Sequence, residues 1–322
     1  MQEVIEDIFT SVLQYLVEHG YVNMGTYFVD GTKIEANANR YSFVWRKSTA
    51  NYKKKLQDKV REMMEEVKRV NEEEDRLYGD KDLEELGEDA DIDSQSLQEL
   101  TRQLNETLKK DPKDKKLKKV VKKLENDCIP RMLKYEQYED KFSGRNSFSK
   151  TDEDATFMCM KEDHMRNRKL KPGYNVQIGT ENQFITGYSL HQTTGDSACL
   201  VPHLEKMRQR LGRLPDKVVA DAGYGSEENY TYLEEHQIEA YVKYNIFDRE
   251  QRKRRKIPER EKFWVTNWVY DEQQDELICP QGKRLTYEKT QRYQTSNGYI
   301  SDRRVYFCKE YTGCEVRSKC TQ

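Results

Sequence analysis

A long block of helical periodicity, residues 46–150, divides this chain and constrains its fold more than any other feature. The first part of the block has apolar residues at alternating steps of four and three, which is the spacing of a coiled-coil seam: Tyr52, Leu56, Val60, Met63, Val67 and Val70. An acidic linker, residues 79–96, follows, and two more amphipathic helices are predicted after it. We therefore expect a coiled-coil-like helical insertion, a hairpin or small bundle, within an otherwise α/β chain.

Two helix starts inside the insertion are predicted from capping residues. Ser96 and Glu99 match a capping box, in which both side chains satisfy free backbone N–H groups. Asp111 followed by Pro112 is suited to begin the next helix. The lysine-rich stretch 109–123 leaves two interpretations open, an arm for packing or self-association and an arm that contacts nucleic acid.

The segments on either side of the insertion predict a mixed sheet covered by helices. Residues 1–20 carry an apolar stripe at helical spacing, which predicts a helix left from an N-terminal helical region. Alternating or apolar runs predict strands, and amphipathic runs predict helices between them. Because strand–helix–strand units favour parallel pairing, we expect a partly parallel sheet. The predicted strands are 26–30, 174–178, 184–191, 217–221 and 239–244, with helices at 200–211 and from Ser226.

Composition limits the function classes. The chain has 56 Lys+Arg against 58 Asp+Glu, so its net charge of −2 excludes an extended polyelectrolyte of one sign. No apolar stretch approaches the roughly 18 residues of a membrane span, and the acidic N-terminus, MQEVIEDIF, is unlike a secretory signal. Seven cysteines form no dense disulfide framework, which favours reduced thiols. We expect a cytoplasmic protein without a membrane partner.

Two aspartates that directly follow apolar strand residues are the candidate catalytic pair. Asp30 ends the run YFVD and Asp221 ends VVAD. If these strands are parallel neighbours, both carboxylates reach the edge at which open α/β sheets bind ligands. Two close carboxylates repel each other unless a cation lies between them, and hard oxygen ligands suit Mg²⁺ or Mn²⁺. Such ions support phosphodiester cleavage. The alternatives are a hairpin turn at Asp30-Gly31 and a capping role for Asp221 ahead of Gly223.

Two clusters of basic residues are candidates for binding the DNA backbone. Clustered bases release counterions when they neutralise phosphates, and a dense run of positive charge repels itself without an anionic partner. For the first cluster, a solvated loop is the alternative. The first cluster is Lys161, Arg166, Arg168, Lys169 and Lys171, and the second is Arg249, Arg252, Lys253, Arg254, Arg255 and Lys256.

A cysteine-rich segment follows the second basic cluster and is a candidate zinc site. Zinc binds thiolates tetrahedrally, and a small β-rich segment gains folding free energy from it. The paired C-x-x-C spacing is missing here, so free or partly buried thiols are the alternative. The four candidate ligands are Cys279, Cys308, Cys314 and Cys320.

Three stretches resemble the catalytic blocks of bacterial insertion-sequence DDE transposases. Residues 28–48 (FVDGTKIEANANRYSFVWRKS) and 151–192 resemble the first block, and residues 218–247 (VVADAGYGSEENYTYLEEHQ and the ten residues after it) resemble the second. The resemblance implies a ribonuclease-H-like core built from residues 21–45 and 151–247. It carries the first two acids of the family onto Asp30 and Asp221, with Mg²⁺ as cofactor. It also implies that the chain binds duplex DNA, at element ends and target, as a homo-oligomer.

The third acid of the family is the point of departure. The family places a glutamate on a helix after the last core strand, whereas residues 248–322 read as a basic run and a cysteine-rich β insertion. Glu310 and Glu315 lie there without helical periodicity. We therefore expect a transposase truncated at both ends that has little or no activity by itself. The alternative is an inactive DNA-binding or oligomerising remnant that modulates full-length transposase.

Overall fold

The computed structural model describes most of the chain: residues 2–78, 92–110, 112, 114–160, 169–251, 261–295, 297–309, 312 and 314–320. The chain forms two compact units. The first unit comprises Met1–Asp30, Gly179–Gly187 and Ser197–Gln322, and the second comprises Gly31–Ile178 and Tyr188–Asp196.

Helices and strands alternate along the chain much as the sequence predicts. The helices are α1 (Gln2–Glu18), α2 (Arg46–Tyr78), α3 (Ser94–Lys110), α4 (Lys115–Lys123), α5 (Ile129–Phe142), α6 (Leu200–Leu211), α7 (Glu227–Glu235), α8 (Phe247–Gln251) and α9 (Arg317–Cys320). The strands are β1 (Thr26–Glu35), β2 (Phe43–Trp45), β3 (Ser147–Ser149), β4 (Thr156–Cys159), β5 (Leu170–Glu181), β6 (Phe184–His191), β7 (Lys217–Ala220), β8 (Glu239–Val242), β9 (Val269–Asp271), β10 (Glu276–Ile278), β11 (Arg284–Gln294) and β12 (Ile300–Phe307).

Six of these strands form one mixed sheet in the order β4-β5-β1-β7-β8, with β6 beside β5. β1 and β7 are parallel, and so are β7 and β8, while β4 and β5 are antiparallel. β5 and β6 are joined by a two-residue turn, in which Asn182 and Gln183 both have positive φ, at 48° and 70°. The mixed sheet with its helices is the α/β architecture expected for a ribonuclease-H-like domain.

The core of the first unit lies between β1, β7 and the helices α6 and α7. Apolar side chains that alternate along the two strands meet the inward stripe of α6, because strand residues of one parity share a face. This packing fixes the face of the sheet on which polar residues remain. The buried residues include Tyr27, Val29, Leu200, Leu204, Met207, Val218, Ala220, Tyr224 and Leu233.

Two polar contacts hold the start of β1 and the helix α1 in the first unit. The buried carboxylate of Glu181 accepts hydrogen bonds from the backbone N–H groups of Met24, at 2.8 Å, and Gly25, at 2.9 Å. On α1, Glu6 accepts a hydrogen bond from Lys206 of α6 at 3.0 Å. The sequence therefore ties both elements that precede β1 to distant parts of the chain.

A four-stranded antiparallel sheet, in the order β12-β11-β10-β9, occupies the C-terminal part of the first unit. Its strands are joined by backbone pairing from Val269 to Phe307, with a shift of register between Tyr287 and Lys289. Among the described residues from Trp264 onward, Ser301 alone is buried. The sheet therefore has almost no hydrophobic core of its own.

The helical insertion belongs to the second unit and forms a bundle of α2, α3, α4 and α5. A short π-helical stretch, Leu124–Cys128, connects α4 to α5. Most of the predicted seam residues of α2 are buried in the bundle core, whereas Tyr52 is 54% exposed. The shared core contains Leu56, Val60, Met63, Val67, Leu97, Leu100, Leu104, Leu117, Val121, Leu124, Cys128 and Met132.

Both predicted helix caps in the insertion are wrong by a few residues. Asp93, rather than Ser96, precedes α3, and its carboxylate accepts from the N–H of Ser96 at 2.7 Å. Asp114 caps α4 by accepting from two backbone N–H groups, whereas the predicted cap Asp111 lies outside the described residues. In both cases a nearby aspartate takes the cap, because an ionised carboxylate is a strong acceptor for free N–H groups.

A two-stranded neck closes the base of the insertion in the second unit. β2 and β3 are antiparallel, with Val44 paired to Phe148. Phe148 is buried against Phe142 of α5, with the ring centroids 5.2 Å apart. The sequence pattern did not predict this neck. None of the helices in the described residues combines the length and the hydrophobicity that crossing a bilayer requires.

Candidate functional site

The two candidate catalytic aspartates follow neighbouring strands of the first unit. β1 and β7 are parallel, as predicted, and Val29 is the register partner of Ala220. Asp30 and Asp221 come next on their strands. Val29 and Ala220 are buried, and because successive strand residues alternate between faces, both aspartates are exposed on the other face. The fold thus brings together two residues that are far apart in the sequence.

The local backbone distinguishes the alternatives that the sequence left open for these aspartates. β1 continues through Asp30 and Gly31 to Glu35, so the predicted alternative of a hairpin turn at Asp30-Gly31 is wrong. Asp221 does act as a cap, since its Oδ1 accepts from the N–H of Gly223 at 2.8 Å. This bond occupies one carboxylate oxygen and orients the group. Capping and metal binding are compatible, because a carboxylate has about four lone-pair sites.

A polar network in the second unit surrounds the residue that follows Asp30. Asn175 donates to Oδ1 of Asp196 at 2.8 Å, and Gln177 donates to Oδ1 of Asn175 at 2.8 Å. A Cβ atom on Gly31 would lie 2.6 Å from Nε2 of Gln177 and 2.8 Å from Oδ1 of Asp196. Glycine is therefore required for this close approach. Sequence reasoning missed these residues, because an alternating N-x-Q pair in a strand carries no specific signal.

A second buried pair lies one turn of the strand below, in the first unit. The hydroxyl of Tyr27 and Nε2 of His203 are 2.7 Å apart. Burial raises the pKa of Tyr27 well above its ordinary value, so the phenol is neutral at physiological pH. Gly179 and Gly187 leave room for this hydroxyl, which a Cβ atom would approach to 1.7 Å and 2.2 Å respectively. The pair joins β1 to α6 behind the face that carries Asp30.

The chemistry of the aspartate pair suits a divalent cation. Two exposed carboxylates at adjoining strand ends offer hard oxygen ligands, which Mg²⁺ and Mn²⁺ prefer. Across the described ranges, however, no three His, Cys, Asp or Glu side chains are grouped so that they could hold a metal ion as they stand. Two carboxylates with solvent ligands therefore remain the candidate for a metal at this site.

The predicted third acid has no counterpart near the pair within the described part of the chain. Glu315 is exposed in the turn before α9, and Glu310 lies outside the described residues. Neither Glu227 nor Glu228 departs from the role that the sequence indicates, the first turn of α7, where Ser226 caps the helix. These residues do not complete a set of three carboxylates.

Most of the predicted DNA-binding residues fall outside the described part of the chain. Lys161, Arg166, Arg168, and the run Arg252, Lys253, Arg254, Arg255 and Lys256 are not described, and Arg249 is described only as part of α8. Lys169 precedes β5 and is exposed. Lys171 lies 2.6 Å from Oε2 of Glu35 in an ion pair, which reduces the positive charge that it offers to phosphate. The DNA-binding roles stay predictions.

The four candidate zinc ligands all lie in the first unit and are partly exposed. Cys279 follows β10, Cys308 follows β12, Cys314 precedes α9, and Cys320 ends it.

Comparison with known families agrees with this α/β arrangement, in which ligands bind beyond the carboxyl ends of the strands. The model of the transposase DDE domain family matches residues 146–309, about half of the chain. The chain belongs to this family. The matched region contains Asp221 but not Asp30. No curated protein and no solved structure shows a significant match to the chain.

Proposed function

We propose that this chain acts in DNA transposition through a metal-dependent site formed by Asp30 and Asp221. The observation that carries the proposal is the parallel register of β1 and β7, in which Val29 is paired with Ala220. Membership of the transposase DDE domain family supports DNA as the substrate and a divalent metal as the cofactor. The reaction would be cleavage of a phosphodiester at an element end, followed by strand transfer into target DNA.

The residues of the chain would contribute position and charge. Asp30, held within the continuous strand β1, and Asp221, oriented by the N–H of Gly223, present negative charge at one edge of the sheet. Bound Mg²⁺ or Mn²⁺ would supply activation of the attacking oxygen and stabilisation of the leaving oxygen. Lys169, Lys171 and the basic residues outside the described ranges would bind the DNA backbone. Assembly of the chain as a homo-oligomer on DNA is part of the same proposal.

A second candidate function is supported by the number of carboxylates. The described residues bring two acids together rather than three, which favours a chain that binds DNA or full-length transposase without cleaving DNA efficiently. A pair of divalent cations carries more charge than two aspartates and one phosphate neutralise. Weak metal binding and poor positioning follow, and imprecise positioning alone can cost about 10²-fold in rate.

Metal binding tests the aspartate site without requiring turnover. We expect Mn²⁺, followed by calorimetry or electron paramagnetic resonance, to bind the wild-type chain and to bind Asp30→Asn and Asp221→Asn at least about tenfold more weakly. Asp216→Asn is the matched control, because Asp216 is also exposed and lies at the opposite end of β7. Equal Mn²⁺ affinity in all four proteins would refute the site.

Nicking of supercoiled DNA then separates the two candidate functions. Mn²⁺-dependent nicking that Asp30→Asn abolishes would show a catalytic transposase. DNA binding together with metal binding, but without nicking, would favour the modulating role.

A further inference from the structure

The C-terminal sheet of the first unit lacks the usual source of stability. Its strands β9 to β12 have exposed or half-exposed side chains throughout, and no hydrophobic residue among the described ones from Trp264 onward is buried. Surface contacts such as those of Asp275 with Tyr270 and Tyr306, both at 2.7 Å, connect the strands. Exposed polar pairs contribute little, and a small β segment without a core needs another element to stabilise it.

Strand directions place two cysteines at the same end of this sheet. β10 and β12 both run antiparallel to β11, with Ile278 paired to Arg284 and Phe307 paired to Thr286. Cys279 and Cys308 are the next residues on β10 and β12, so both lie beside the beginning of β11. Cys279 also opens a tight turn, in which Gly282 donates to its carbonyl at 2.8 Å and Cys279 donates to the carbonyl of Lys283 at 2.9 Å.

The remaining two cysteines of the segment are brought to the same place by the C-terminal turn and α9. Arg317 donates its N–H to the carbonyl of Cys314, and the thiol of Cys320 lies 3.5 Å from the carbonyl oxygen of Arg317. The pKa of Cys320 is raised, first by burial and then by charge on Cys314, Cys279 and Cys308. Cys320 is therefore close enough to all three for their charges to repel its own.

We propose that Cys279, Cys308, Cys314 and Cys320 form a four-thiolate zinc site that stabilises the β9–β12 sheet, separate from the aspartate site. Thiolates select zinc among the common divalent ions, and a structural site of this kind is closed by four ligands about 2.3 Å from the ion. On binding, the thiols release their protons to solvent and zinc neutralises the repulsion between them.

The present spacing of the thiols is that of neighbours rather than of a finished site. No group of three potential ligands in the described residues is closed around a metal position. Zinc would draw the four sulfur atoms together, and the free energy of binding would then be folding free energy for a sheet without a core. The ligands come from two strand ends and from one C-terminal turn, so the ion would connect parts of the segment that backbone hydrogen bonds leave separate.

The test is the zinc content of the full chain, purified under reducing conditions. We expect about one zinc ion per chain, and at least a tenfold loss of zinc affinity for Cys279→Ser, Cys308→Ser, Cys314→Ser and Cys320→Ser. Cys159→Ser, which removes an exposed cysteine on β4, is the matched control and should keep its zinc.

A spectroscopic measurement keeps the test valid if a serine variant fails to fold. Cobalt(II) in place of zinc in the wild-type chain should give the thiolate charge-transfer absorption of a tetrahedral sulfur site. Chelation of zinc should make the segment after Trp264 sensitive to protease. A chain that binds neither ion, serine variants with unchanged zinc affinity, or a disulfide between any two of these cysteines would overturn the proposal.

Discussion

Val29 of β1 and Ala220 of β7 are partners in a parallel register, and each is followed directly by an aspartate. Strands that are parallel neighbours end at the same edge of a sheet, so the two acids occupy equivalent positions without any need for closeness in sequence. The local environments differ. Asp30 continues a strand, whereas Asp221 leaves one and caps the next turn through Gly223. The pair therefore combines one rigid carboxylate with one that a backbone N–H group orients.

Replacing Gly31 with alanine should damage the aspartate site through the backbone. A Cβ atom there would lie within 2.8 Å of both Gln177 and Asp196, and Gln177 is fully buried, so the network cannot easily give way. We expect a loss of about 1–3 kcal/mol in stability and weaker Mn²⁺ binding. Gly195→Ala, where a Cβ atom meets nothing within 4 Å, is the control. Wild-type stability and Mn²⁺ affinity in Gly31→Ala would show that β1 tolerates the added methyl group.

The space around the Tyr27 hydroxyl can be measured by a double-mutant cycle. A Cβ atom on Gly187 would lie 2.2 Å from this hydroxyl but 3.4 Å from the ring carbon that bears it. Gly187→Ala should therefore cost about 1–3 kcal/mol in the wild-type chain and clearly less in Tyr27→Phe. Denaturant unfolding of the four proteins gives the coupling free energy. Additive losses would mean that the hydroxyl is not what excludes a side chain at Gly187.

Tyr27→Phe alone should also destabilise the chain. It removes the 2.7 Å hydrogen bond to His203 at a buried position, which typically costs about 1–3 kcal/mol. A matched change at an exposed tyrosine, Tyr41→Phe, should leave the free energy of unfolding unchanged. A loss for Tyr27→Phe no greater than that for Tyr41→Phe would contradict a stabilising role for the buried pair.

The attachment of α1 should depend on pH. The hydrogen bond from Lys206, aided by the positive charges of Lys206 and Arg210, lowers the pKa of Glu6. A carboxyl group with a lowered folded-state pKa stabilises the fold above its unfolded value, about 4.3, and this stability is lost as the pH falls through the lower folded value. Because the side chain is partly exposed, we expect at most about 1 kcal/mol.

Glu6→Gln tests this pH dependence by thermal unfolding at a series of pH values. The variant should be less stable at neutral pH and should approach the wild type below the unfolded-state pKa. Glu18→Gln, at the exposed end of α1, should reproduce the wild-type profile. If Glu6→Gln differs from the wild type by the same amount at every pH, the ionised carboxylate is not responsible.

The helical insertion should be most sensitive at its bundle core. Leu104 is fully buried there, so Leu104→Ala should cost about 2–5 kcal/mol. Tyr52 belongs to the same predicted apolar seam but is 54% exposed, and Tyr52→Ala should have a small effect. Comparable losses in the free energy of unfolding for the two variants would mean that α2 packs along its whole predicted seam.

The strands that carry the acids were predictable, whereas the groups around them were not. The runs before Asp30 and Asp221 are short and apolar, which is a strong local signal for buried strands, and α6 has the predicted bounds. By contrast, Asp196 gains its meaning only through contacts with Asn175 and Gln177, which lie on another element. Single polar residues give no periodic pattern, so contacts of this kind cannot be read from spacing.

Local competition explains the smaller errors in the insertion. Both α3 and α4 have an aspartate close to the predicted start, and the choice of cap depends on where the bundle core begins. The neck formed by β2 and β3 was missed because three-residue strands are too short to show alternation. The predicted chemistry at Asp30, Asp221 and the four cysteines thus rests on residue type, and their surroundings rest on the fold.

The neck also has a consequence for how the chain reaches its native state. β1 must find β5, although the whole helical bundle lies between them in the sequence. The entropy lost on closing a loop grows with its length, and distant pairing slows folding. Once the helices have packed and Val44 has paired with Phe148, the two ends of the insertion are side by side. From then on the polymer between β1 and β5 behaves as a short tether, and the sheet can form at the speed of a much smaller domain.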